Sequence, residues 1–131
     1  MIKKLIEEYK SLTAICAHTD YSNKLSVKEH NIAAIKMHKI ITSIENSKSN
    51  EAVKLFAGLL DIPLNKTNLW AAFHLLERLP IDKVIETEAI KIIEIAAKGK
   101  DFESLGCQMW LNEWKEKRKN TSFNLKDNFK Q

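Results

Sequence analysis

Glycine and proline are scarce: the 131 residues hold three of the first and two of the second. A β-rich chain of this length needs many more turn formers, so composition points to helices joined by short loops. Cysteine is scarce too. Cys16 and Cys107 stand far apart with no CxxC pair, which excludes a disulfide framework and reads as two reduced core thiols of a cytoplasmic protein. The basic opening MIKKLIEEYK carries no apolar run of signal-peptide length, and no segment approaches the roughly 20 apolar residues of a membrane span. Motifs that carry chemistry are also missing. There is no glycine-rich phosphate loop, no HExxH and no nucleophile elbow; DFESLG has a serine without the flanking glycines or a preceding strand. Neighbouring acids such as Glu7 and Glu8 diverge by about 100° on a helix and cannot face each other across a substrate. The expectation from these absences is no enzymatic activity, no cofactor and no metal.

What is present is a helical pattern in a chain that is 44% hydrophobic, long enough to bury about two-thirds of its unfolded surface. Apolar residues recur at spacings of three and four over residues 2–18 (Ile2, Leu5, Ile6, Tyr9, Leu12, Ile15, Cys16) and 25–44 (Val27, Ala33, Ala34, Met37, Ile40, Ile41, Ile44). The pattern returns over 52–60, 68–80, 82–98 and 102–119. TDYSN, ENSKSN, Asp61-Ile62-Pro63, Pro80 and Gly99 separate these stretches. Asn65 or Thr67 is placed to cap the fourth helix, Asp82 or Thr87 the fifth and Asp101 the sixth, while Gly99 is placed to terminate the fifth. Short loops imply antiparallel neighbours. The fold class is all-α: about six helices stacked as antiparallel helical hairpins. One domain is expected over 1–119 and a tail over 120–131, with Phe123, Leu125 and Phe129 able to lie on the sixth helix. Sliding the fourth helix by 36 places onto the sixth aligns Leu69 with Leu105, His74 with Trp110 and Glu77 with Glu113, a period typical of helical solenoids.

The net charge is +4 with a pI near 9.0, but residues 115–131 hold that whole excess and the body is neutral. A phosphate-binding groove needs its positive charge on the folded surface. Lys24, Lys28, Lys36 and Lys39 do share an arc of roughly 120° on the second helix, a stripe that a nucleic-acid-binding module could use together with the basic tail. Glu29 borders it. The histidines are His18, His30, His38 and His74; His30 and His38 lie roughly 80° apart on their helix, so a zinc pair one turn apart is absent.

Three stretches, LWAAFHLLERLP, AIKIIEIAAKGK and CQMWLNEWKE, together resemble a bacterial family of short HEAT-like helical-repeat proteins of unknown function. EHNIAAIKMHKIITSI is similar to that family's second helix, and Leu111 and Trp114 supply its closing Leu-x-x-Trp. The likeness runs over roughly residues 10–117. It departs before the double alanine, where KTNLW stands in place of the family's frequent basic residue. The resemblance implies a HEAT/armadillo-like superhelix of α-helical hairpins with no established catalytic residues. Because members tend to lie among toxin–immunity genes, it also implies an immunity-like protein that binds one protein partner, such as a toxin.

On a helical wheel Trp70, His74, Glu77 and Arg78 form one patch on the polar side of the fourth helix. Trp and Arg are frequent interface anchors, so these four are the expected partner-binding residues, with Lys24, Lys28, Lys36 and Lys39 as a second, steering patch. The alternatives are that Trp70 packs against a neighbouring repeat of the same chain and that the lysines are the solvated face of their helix. Trp110 and Trp114 sit one turn apart on the broad apolar face of the sixth helix, where they read as core residues. A terminal helix has no following repeat to cover it, and an uncovered aromatic face there would be a binding surface or a homodimer interface.

Overall fold

Asn23 starts the longest helix of the first half: its Oδ1 accepts from the backbone N–H of Leu25 at 2.9 Å and of Ser26 at 3.2 Å, satisfying donors that no helical carbonyl reaches. In the computed structural model of the chain, the backbone is described for residues 1–129 and the side chains for residues 1–118. Helix α1 is Ile2–Ala17, α2 Lys24–Ser47, α3 Asn50–Ala57, α4 Thr67–Arg78, α5 Lys83–Ala96 and α6 Phe102–Phe129. Two short 3-10 turns, Gly58–Asp61 and Leu64–Lys66, lie between α3 and α4. There is no strand among the described residues, so the fold is all-helical, and among α1–α4 adjacent helices pack against one another in the manner of a helical hairpin stack. The expected packing of Phe123, Leu125 and Phe129 on α6 falls on side chains outside those described. The chain divides into two units, Met1–Ile92 and Ile93–Gln131.

In the first unit, side-chain pairs fix the helix directions. Cys16 meets His30 while Leu5 and Ile44 line one cleft, so α1 and α2 run antiparallel. Tyr9 meets His74 and Thr13 meets Thr67, so α1 and α4 are antiparallel as well. His30 contacts Trp70, His38 contacts His74 and Thr42 contacts Arg78, which sets α2 parallel to α4. The core between them holds Tyr9, Leu12, Met37, Ile41, Ile44, Phe56, Leu59 and Leu75, all buried. Each large apolar side chain among these stabilises the unit by about 1.5–3 kcal/mol. Tyr9 and Phe56 meet edge to face at 4.9 Å, a favoured aromatic geometry.

The entry to α4 differs from the expected cap. Asn65 and Lys66 both adopt left-handed backbone (φ 58° each), and neither side chain caps the helix. Instead the Asn68 N–H donates to the Ile62 carbonyl at 2.8 Å. The Thr67 hydroxyl turns inward, within 2.8 Å of both the Leu64 carbonyl and the Thr13 hydroxyl. The side-chain oxygen at this helix start comes from inside the helix, where Asn68 Oδ1 accepts from the Leu69 N–H at 2.9 Å.

Asp82 caps α5 through the Ile85 N–H at 2.9 Å, and Asp101 caps α6 through the Ser104 N–H at 2.8 Å. In the second unit Cys107, Leu111 and Ser104 are buried, and the Gln108 amide donates to the Ala97 carbonyl at 2.6 Å. Gly99 does not stop α5 through left-handed backbone, since no glycine has a positive φ. Its lack of a side chain serves a close approach: a Cβ there would collide with the Ser104 hydroxyl. Both cysteines are free and buried, and no helix of the described residues is long and apolar enough to cross a membrane.

Candidate functional site

Trp70, His74 and Arg78 recur at four along α4, so they share one side of it. That side faces α2. Trp70 is half-buried, with its ring centroid 6.4 Å from that of His30 and 6.2 Å from that of His74. The His38 ring stands edge-on to His74 at 5.0 Å. The Arg78 guanidinium donates to the Thr42 hydroxyl at 3.1 Å and to a Glu45 carboxylate oxygen at 3.3 Å. Glu77 lies off this line, exposed. The four expected anchors are thus not one outward patch: three belong to the α2–α4 seam, because α2 lies where a lone amphipathic helix would meet solvent.

His74 is the most deeply committed of them. It is buried, and its Nδ1 lies 2.6 Å from the Tyr9 hydroxyl. The periodicity of α1 assigns Tyr9 to the core but carries no signal of its polar partner on α4. Burial, with smaller contributions from His38 and Arg78, lowers the imidazole pKa to about 4. The same burial raises the Tyr9 phenol above its ordinary value, with Cys16 adding to the effect. The pair is therefore neutral at physiological pH, joined by a hydrogen bond between phenol and imidazole. It locks α1 to α4 rather than presenting a charge to solvent.

Away from its buried face α2 turns a second side to solvent, reached by the seam only at Thr42 near its C-terminal end. Lys24, Lys28, Lys36 and Lys39 are all exposed there. Within the same arc lie three apolar side chains: Leu25 is 72% exposed, Ile32 43% and Ile35 56%. This apolar strip between lysines escapes a reading that treats the arc as solvated. A signal for it is present, since Ile32 and Ile35 are the isoleucines of α2 that do not fit its buried register. Tyr21, in the turn before α2, is exposed as well. Among the described residues no three His, Cys, Asp or Glu side chains are grouped to hold a metal ion.

No family model and no solved structure matches the chain. It is similar to the ATP-dependent dethiobiotin synthetase BioD of Legionella pneumophila, with 30% identity over 95 residues, a stretch covering 69% of this chain and 44% of that protein. The chain spans less than half the length of this curated relative. This likeness corrects the expectation of no enzymatic activity. That expectation rested on missing local motifs, whereas the likeness is spread over a long stretch and is to an enzyme.

Proposed function

We propose that the chain is a protein-binding helical module whose contact surface is the outer face of α2. The observation that carries this reading is the apolar strip Leu25, Ile32 and Ile35 standing exposed between Lys24, Lys28, Lys36 and Lys39. Apolar side chains at the centre of a contact supply affinity by burial, while lysines at its rim steer and orient an acidic partner. The partner is accordingly a protein with an apolar patch edged by Asp and Glu. By the family resemblance that partner is a toxin met in the cytoplasm, and the binding mode is occlusion by a preformed surface that loses little entropy on docking. A phosphate backbone uses the lysines but has no need of the isoleucines between them. Co-purification from the native host, followed by salt titration of the recovered complex, tests this. A stoichiometric protein that stays bound from low to moderate salt supports it; recovery of nucleic acid whose affinity collapses over that range refutes it.

A second reading is favoured by the likeness to an ATP-dependent dethiobiotin synthetase: the chain takes part in ATP-dependent synthetase chemistry. Titration of the purified chain with ATP, with an assay for dethiobiotin formation, tests this separately. Binding together with product supports it, and neither at millimolar ATP refutes it.

A further inference from the structure

The exposed side chains of α2 keep a heptad register as well as sharing an arc. Leu25, Lys28, Ile32, Ile35 and Lys39 follow one another at steps of three, four, three and four residues, the spacing at which one helix meets another along a seam. All five are exposed, and the buried side chains of α2, from Ala33 to Ile44, lie on its other side. The exposed run covers about four turns, roughly 21 Å, and ends before Thr42, whose hydroxyl is taken by Arg78. Ile32 and Ile35 stand at its middle, with Lys28 and Lys39 beyond them on either side. The charge of this face is positive with every nearby acid included. Between Lys24 and Ile44 the sequence has one acid, Glu29, at the edge of the face. Asp20, in the turn before α2, bonds to Ser22 and is still charged. Glu45 lies on the α4 side, paired with Arg78. Lys24, Lys28, Lys36 and Lys39 outnumber Glu29 and Asp20.

That pattern selects its occupant. A second copy of the chain is disfavoured: parallel pairing sets each lysine against itself, and antiparallel pairing about the isoleucines sets Lys28 against Lys39. A β-strand turns every second side chain to one face and cannot follow steps of three and four. We propose that the partner docks on α2 with a single amphipathic α-helix, apolar opposite Leu25, Ile32 and Ile35 and acidic opposite Lys28 and Lys39. This rests on the reading of α2 as the contact surface and names what that surface holds. The docking helix carries an acid, apolar residues four and seven places on, and a second acid eleven places on. That order is the same in both directions, so Leu25, present at one end alone, sets the polarity. The lysine stems pack along the apolar residues while their ammonium groups reach the acids. One helix pair buries less than the roughly 1,200 Å² of a standard interface, so the helix alone binds in the micromolar range.

A fluorescent synthetic peptide of about four turns tests this, made in both directions with leucine opposite Leu25, Ile32 and Ile35 and glutamate opposite Lys28 and Lys39. It is titrated with the full chain by fluorescence anisotropy, and circular dichroism follows its helicity. One direction is expected to bind with micromolar affinity and to gain helix on binding. A proline at the middle of that peptide is expected to abolish binding, because it breaks the helix. The chain carrying Lys28→Glu with Lys39→Glu is expected to bind the peptide about tenfold more weakly, and to prefer one with lysines in place of the glutamates. Both substituted residues are exposed, and unfolding midpoints check that the variant is folded. No binding in either direction, binding indifferent to the proline, or charge variants that keep the wild-type preference overturns the proposal. A co-purified protein that is lost with Ile32→Asp and Ile35→Asp, while no peptide binds, overturns the helical occupant and leaves the protein-binding reading standing.

Discussion

Tyr9 and His74 answer why a histidine stands on the polar side of α4. The imidazole is turned to a phenol from α1, at 2.6 Å. Tyr9→Phe leaves that ring nitrogen buried without its partner and is expected to cost about 1–3 kcal/mol in denaturant unfolding. The depressed pKa of His74 makes a second prediction. Above pH 6.5 the imidazole is neutral in both folded and unfolded chains, and its contribution to stability is complete. Between pH 6.5 and about 4 the unfolded chain takes up a proton that the folded chain refuses. Stability therefore falls with pH over that window, by roughly 3 kcal/mol from this group. Comparing unfolding free energies of wild type and His74→Gln at pH 7 and pH 4.5 checks this: the variant is expected to lose less. An equal loss in both would show that His74 is not the titrating group. Neither effect can be read from sequence, because periodicity places Tyr9 and His74 on faces without pairing them.

At the scale of the element, most of each helix is legible and most of its neighbours are not. Asn23, Asp82 and Asp101 are cap-forming residues ahead of periodic apolar runs, and the structure has them at the helix starts. Asn23→Ala is expected to lower stability by about 1 kcal/mol, seen as a lower thermal midpoint. The start of α4 was less legible, because two consecutive left-handed residues lead into it and the side-chain oxygen there is that of Asn68, inside the helix. The α2–α4 seam was legible only in part: packing of Trp70 on a neighbouring helix was one reading of its place on the wheel, but a wheel drawn for one helix cannot say that the neighbour is α2 or that Arg78 joins the seam. Arg78 is only partly covered, and its ion pair with Glu45 is similarly open to solvent. Arg78→Ala is therefore expected to cost no more than about 1 kcal/mol, measurable by urea unfolding. A cost of several kcal/mol would mean that the seam depends on this pair.

Over the whole molecule, charge and apolar exposure are arranged so that neither follows from composition. The excess of +4 lies in residues 115–131, yet the basic stripe of the proposed contact surface lies on α2, within a neutral body. The likeness to a synthetase is likewise a property of a long stretch and of no motif within it. The central claim is that the α2 strip holds a protein partner, and the affinity of the co-purified partner for Ile32→Asp with Ile35→Asp tests it most directly. Burying one isoleucine is worth about 1.5–3 kcal/mol, so the double variant is expected to bind at least about 100-fold more weakly while its unfolding midpoint stays unchanged. An affinity equal to that of the wild type, in a variant equally well folded, would contradict the account.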